Sequence, residues 1–177
     1  MRIVQGRHGG RRLVAPRGAG TRPTADRVRE AMFSSLFDVE GCRVLDLYAG
    51  SGAVGLEARS RGAAHVTLVE KDRAALRAIE QNLETLGDDD VVVLAMDVGR
   101  ALKQVDTFDL VFADPPYAIA TEALTAILAA PIFAPGARVV FEHRATDEAV
   151  PSPSERITFE RTKRYGEAAL SYYVVAD

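Results

Sequence analysis

Two short stretches of this 177-residue chain combine residue types that could do chemistry. In the first, Val44-Leu45-Asp46-Leu47-Tyr48-Ala49-Gly50-Ser51-Gly52-Ala53-Val54-Gly55, an apolar run enters the spacing G-x-G-x-x-G and continues into a helical pattern. Glycines so spaced permit a tight turn and a close approach of backbone to ligand. Glu70 follows twenty residues after Gly50, at the end of the next apolar run, where its carboxylate can accept from both hydroxyls of a ribose. The spacing points to an adenosine-type ligand and does not by itself separate a nicotinamide dinucleotide from S-adenosylmethionine. Asp46 bears on that choice, because its carboxylate would repel a pyrophosphate and attract the ammonium of S-adenosylmethionine. Asp97, at the end of the third apolar run, can accept from an adenine amino group or stand as a solvated acid.

The second stretch is Asp114-Pro115-Pro116-Tyr117, at the end of the fourth apolar run. An exocyclic base amine is a poor nucleophile, since its lone pair is delocalised into the ring. The Asp114 carboxylate and the Pro115 carbonyl could accept its two N–H bonds and aim the nitrogen at a methyl group. The prolines stiffen the turn, and Tyr117 offers a face on which a flipped base can stack. Such chemistry rests on positioning and needs neither a metal nor a covalent intermediate.

These residues must be held by strands and helices in alternation. Val44–Tyr48, Val66–Glu70, Val91–Met96, Leu110–Ala113 and Ala137–Glu142 read as strands. Amphipathic stretches separate them near Val54–Arg61, Arg73–Leu86, Gly99–Val105 and Ile119–Ala130. Runs without strict alternation suit a parallel sheet buried on both faces, hence an α/β fold. Past Pro151 and Pro153, Ile157–Arg164 and Leu170–Val175 resemble a terminal antiparallel pair around Tyr165-Gly166-Glu167. Ahead of the sheet, Thr24 is expected to cap a helix with Val28, Ala31, Met32 and Leu36 on one face.

Residues 1–23 read as a basic arm or hairpin and residues 24–177 as the main domain. Ile3-Val4 and Leu13-Val14 flank the turn-prone His8-Gly9-Gly10. The net charge of −3 conceals an asymmetry: residues 1–29 carry eight arginines against Asp26 alone, or +7, and the rest of the chain carries −10. Arg7, Arg11, Arg12 and Arg22 are the candidate nucleic-acid contacts. If the arm only captures a polyanion, its removal should leave the fold intact; if Ile3, Val4, Leu13 and Val14 cover an apolar patch, removal should lower stability. A single cysteine, Cys42, excludes an internal disulfide, and no run approaches the roughly 18 apolar residues of a membrane span. A reducing cytoplasm is the expected compartment.

Taken together, the chain resembles the bacterial small-subunit rRNA (guanine-N2)-methyltransferases of the RsmD family. The resemblance runs through Arg2-Ile3-Val4, Gly10-Arg11-Arg12-Leu13, Thr21-Arg22-Pro23-Thr24, Asp26–Phe33, the Asp46–Gly55 loop, Asp114–Tyr117 and Lys163-Arg164-Tyr165-Gly166. It implies a Rossmann-like class I methyltransferase with a seven-stranded, mostly parallel sheet and S-adenosylmethionine as donor. The implied acceptor is the N2 amine of one guanine of 16S rRNA within an assembling small subunit. Carried onto this chain, cofactor roles fall on Asp46, Gly50, Gly52, Glu70 and Asp97, and catalytic roles on Asp114, Pro115 and Tyr117. A DNA adenine-N6 methyltransferase, a protein-glutamine methyltransferase and a non-catalytic RNA-binding assembly factor remain as competing readings. His143 and the group Arg161, Lys163 and Arg164 could face a substrate or be locally bonded surface residues.

Overall fold

The computed structural model of the chain describes residues 1–16, 23–36, 38–148 and 154–177. Arg22, Pro151 and Pro153, named above, lie outside these residues. The main elements in chain order are α1 (Pro23–Ser35), β1 (Arg43–Leu47), α2 (Ala53–Ser60), β2 (His65–Glu70), α3 (Arg73–Leu86) and β3 (Val91–Ala95). They continue with α4 (Val98–Ala101), β4 (Phe108–Ala113), a 3₁₀ turn at Tyr117–Ile119, α5 (Ala120–Ala129), β5 (Phe133–Arg144), β6 (Ile157–Tyr165) and β7 (Ala168–Val175).

Apolar residues alternate to opposite sides of each central strand, so both faces of the sheet are buried. Val44, Val66 and Leu110 turn to a core shared with the arm, α1, α2 and α3, while Leu45, Val69 and Val111 turn to one shared with α4 and α5. The seven strands lie in the order β3-β2-β1-β4-β5-β7-β6. Strands β1 to β5 pair in parallel, and β7 is antiparallel to both β5 and β6. From β1 the chain winds outward to β3 and then returns to β4 on the other side of β1. That reversal opens a crevice at the carboxyl ends of β1 and β4.

Most expected elements stand within a residue or two of their observed limits. Three differ for local reasons. α1 starts at Pro23, so Thr24 lies in the first helical turn and not ahead of it; proline's fixed φ suits that first position. α4 spans only Val98–Ala101 in place of Gly99–Val105, and β5 begins at Phe133, four residues early, with a register shift against β4 between Phe108 and Leu110. Among the described residues, no helix is long and apolar enough to cross a membrane.

The arm is a hairpin, with Arg2 bridged antiparallel to Arg12 and the Ile3 N–H donating to Arg11 O at 2.9 Å. It is also part of the core: Ile3 is 0% and Leu13 6% exposed, whereas Val4 and Val14 face outward. Glu57 on α2, fully buried, accepts the Val4 and Gln5 N–H groups at 2.7 and 3.1 Å. Ser60 accepts the His8 N–H at 3.0 Å and donates to Gln5 O at 2.6 Å. Ile3 and Leu13 thus cover an apolar patch, the packing under which removing the arm is expected to lower stability.

Candidate active site

The crevice at the carboxyl ends of the strands is a cavity of about 960 Å³, lined by Asp46, Gly50, Glu70, Asp97, Asp114, Pro115 and Tyr117 among others. Gly52 supports the loop from behind, since a Cβ there would stand 3.0 Å from Leu68 Cδ1. Residues as far apart in the chain as Asp46 and Tyr117 meet because β1, β2, β3 and β4 are parallel and all end on one side.

The loop after β1 holds three left-handed residues, Tyr48, Gly50 and Gly52, with φ of 61°, 57° and 76°. Tyr48 adopts a conformation that side chains rarely take, the kind of strain that concentrates at functional loops. Asp46 is only 1% exposed; its Oδ2 accepts the Gly55 N–H at 2.9 Å, which ties the start of α2 to β1. Its Oδ1, also buried, accepts no hydrogen bond from the described residues. Burial pushes the Asp46 carboxyl up to about 7, helped by Asp114 and Glu70 and opposed by the Gly55 N–H.

Glu70, the last residue of β2, is held by backbone on both oxygens. Oε1 accepts the Lys71 and Asp72 N–H groups at 2.7 and 2.8 Å, and Oε2 accepts the Gly50 N–H at 2.9 Å. Its orientation is thus set jointly by the glycine loop and the strand end, with acceptor capacity remaining on Oε2. Asp97 lies two residues beyond β3 and caps α4 through Gly99 N at 2.9 Å. Lys71 Nζ donates to its other oxygen at 2.9 Å, and that bond holds the carboxyl below its usual range.

Asp114 is exposed, Pro115 buried, and Tyr117 half-buried at the start of the 3₁₀ turn. The Asp114 N–H donates to Leu47 O at 3.4 Å, joining the two strand ends that flank the reversal. The Arg144 guanidinium, at the end of β5, stands 5.2 Å from the Tyr117 ring centroid in a cation–π contact. Sequence reasoning passed over Arg144, Lys71 and Glu142, which also lines the cleft. Their one available signal was a position at or just beyond the carboxyl end of a strand.

The remaining candidates are dispersed. His143 is buried away from the cleft, bonded to Ser171 Oγ at 2.8 Å and to Arg144 O at 2.9 Å. Arg161 bonds Ser35 O and lies over the Tyr172 ring, and Arg164 bonds Ala145 O. On the arm, Arg7 is ion-paired with Asp88, which Arg59 also binds at 3.2 Å. Burial would raise the Asp88 carboxyl, but these cations outweigh it and hold the group below its ordinary value. Arg11 and Arg12 are exposed, with Arg11 reaching Thr85 O at 3.3 Å.

A family model described as Conserved hypothetical protein 95 matches residues 1–174. The chain is 44% identical over 119 residues to the Ribosomal RNA small subunit methyltransferase D of Escherichia coli strain K12, an alignment covering 66% of this chain and 60% of that protein. It is 42% identical over 125 residues to the Putative rRNA methyltransferase YlbH of Bacillus subtilis, covering 66% of this chain and 67% of the relative. The solved structure of the putative methyltransferase yhhF from Escherichia coli superimposes with a TM-score of 0.88 at 34% identity, over 99% of this chain and 98% of that one.

Proposed function

Since the chain belongs to the RsmD family, the one described as Conserved hypothetical protein 95, we propose that it methylates the exocyclic N2 amine of a guanine in 16S rRNA with S-adenosylmethionine as donor. The observation that carries this reading is the meeting of the glycine loop, Glu70 and Asp114–Tyr117 in one cleft. The cleft suits the donor on its own chemistry. Asp46 Oδ1, buried and without a donor among the described residues, matches an ammonium, and Glu70 has acceptor capacity left for ribose hydroxyls. Asp97 matches an adenine amino group, and the left-handed Gly50, with open space where a Cβ would stand, leaves room for backbone contact. Bound there, S-adenosylmethionine supplies an electrophilic methyl group on its sulfonium.

The chain's own part is to bind and orient the acceptor. The Asp114 carboxylate and the Pro115 carbonyl take the two hydrogens of the amine, so that its lone pair is directed at the methyl carbon. Tyr117, steadied by Arg144, stacks against the extruded base and keeps water from the line of attack. As charge leaves the nitrogen, Asp114 is the acceptor closest at hand for its proton.

Residues 1–23 serve as the capture arm and residues 24–177 as the methyltransferase domain, with Arg11, Arg12 and Arg22 contacting phosphates and Arg7 acting chiefly through Asp88. Small-subunit assembly would put this work in the cytoplasm. Radiolabelled methyl transfer to small subunits from methylation-deficient cells, compared with naked 16S rRNA and with DNA, tests the reading. Label on a guanine of small-subunit RNA is the expected result. Label on DNA adenine, or on none of the three, would overturn it.

A further inference from the structure

Asn82 lies inside α3, where its side chain competes with the helical backbone and contributes nothing to an apolar face. It is nevertheless 0% exposed. A buried amide needs partners, and those of Asn82 come from two distant segments. Its Oδ1 accepts the Val14 N–H at 2.7 Å, and its Nδ2 donates to Val14 O at 3.0 Å and to Ser51 O at 2.9 Å. The amide thus pairs with Val14 as a neighbouring strand would, and its remaining hydrogen reaches the cofactor loop. The orientation follows from the partners, because the flipped amide would set its oxygen against two carbonyls and its NH₂ against an N–H.

A second contact joins the same segments, Ser51 Oγ to Met1 Sδ at 3.3 Å. Met1, Ala15 and Pro16 of the arm line the cleft beside Gly50 and Ser51. On its outer side this arm presents the exposed Arg11 and Arg12. If the arm lifted, Asn82 would lose two of its three bonds, leaving only the one to Ser51 O, and the loop would lose its contact with Met1.

We propose that Asn82 is a positioning residue that couples the arm to the cofactor loop, so that rRNA held on the arm raises the affinity for S-adenosylmethionine and the cofactor raises the affinity for rRNA. The coupling must be reciprocal. This inference rests on the functional reading above, which gives arm and loop their ligands.

Isothermal titration of the full chain with S-adenosylhomocysteine, with and without unmodified small subunits, reads the coupling as a ratio of dissociation constants. The intact protein should bind at least about fivefold more tightly when subunits are present. Asn82→Ala should bring that ratio to about one. Val14→Pro, which deletes the donated N–H from the arm side and leaves α3 untouched, should do the same where Asn82→Ala does not fold. A residue that merely supported the fold would weaken binding equally in both conditions. An unchanged ratio in the variants, or a ratio of one in the intact protein, overturns the coupling. Methyl transfer by the intact protein, assayed in parallel, tells failure of the coupling from failure of the methyltransferase reading.

Discussion

At Asp46 the folded protein raises a carboxyl to about 7 by burying it, well above its ordinary value of 3.8. The native state therefore holds a proton that the unfolded chain has released between about pH 4 and 7, and stability falls as pH rises through that window. A cofactor ammonium beside the carboxyl reverses the preference and favours the ionised form. Affinity for S-adenosylhomocysteine should then climb as pH rises to about 7 and level off above it, where the carboxyl is ionised with or without the ligand. Titration calorimetry across that range should give a rise to a plateau, and Asp46→Asn should flatten the rise. A flat profile below neutrality would remove Asp46 as the ammonium partner. Two further substitutions separate binding from chemistry. Glu70→Ala should weaken S-adenosylhomocysteine by about 1.5–3 kcal/mol, partly by freeing the Gly50 N–H it now holds. Asp114→Ala should leave that affinity nearly unchanged and slow single-turnover methyl transfer by roughly 10²–10³-fold.

The arm is the element whose role changes most on folding. Its alternation sends Ile3 and Leu13 inward and Val4 and Val14 outward, so it behaves as a strand pair laid on α2 and α3 and not as a solvated tail. Ile3 is fully buried within the core that also holds Met32, Leu56 and Val66. Ile3→Ala should cost about 2–5 kcal/mol, the usual range for such a truncation with incomplete collapse. Thermal melts would register it directly. A change of less than about 0.5 kcal/mol, as at exposed sites, would mean that the arm's packing contributes little.

Over the whole molecule the charge is divided, with +7 in residues 1–29 and −10 in the remainder. Within the arm the structure divides it again, because Arg7 is turned to Asp88 while Arg11 and Arg12 stay exposed. Arg11→Ala and Arg12→Ala should therefore each lower the log–log salt slope of RNA binding by roughly 0.7–0.9, with no shift of the melting temperature. Affinities measured at several salt concentrations give the slope. An unchanged slope in the double variant would place the capture surface elsewhere.

What the sequence determined by itself was whatever depends on neighbours along the chain. The apolar runs marked the strands, the glycine spacing marked the loop, and the stiff Asp114–Tyr117 turn marked the second half of the site. The tertiary structure decided what depends on neighbours in space. Only the strand reversal brings β4 beside β1, so that Asp46 and Asp114 open on one cleft. Arg144 over Tyr117, and Asp88 against Arg7 and Arg59, are likewise pairings between elements, which no local spacing encodes. Asn82 and Glu57 read in the chain as ordinary solvent-facing positions of amphipathic helices. The arm folds over them, and the polar side chains are stable there because they pair with the arm's backbone groups and, for Glu57, also with Arg61 and Arg29, and for Asn82 also with Ser51 O.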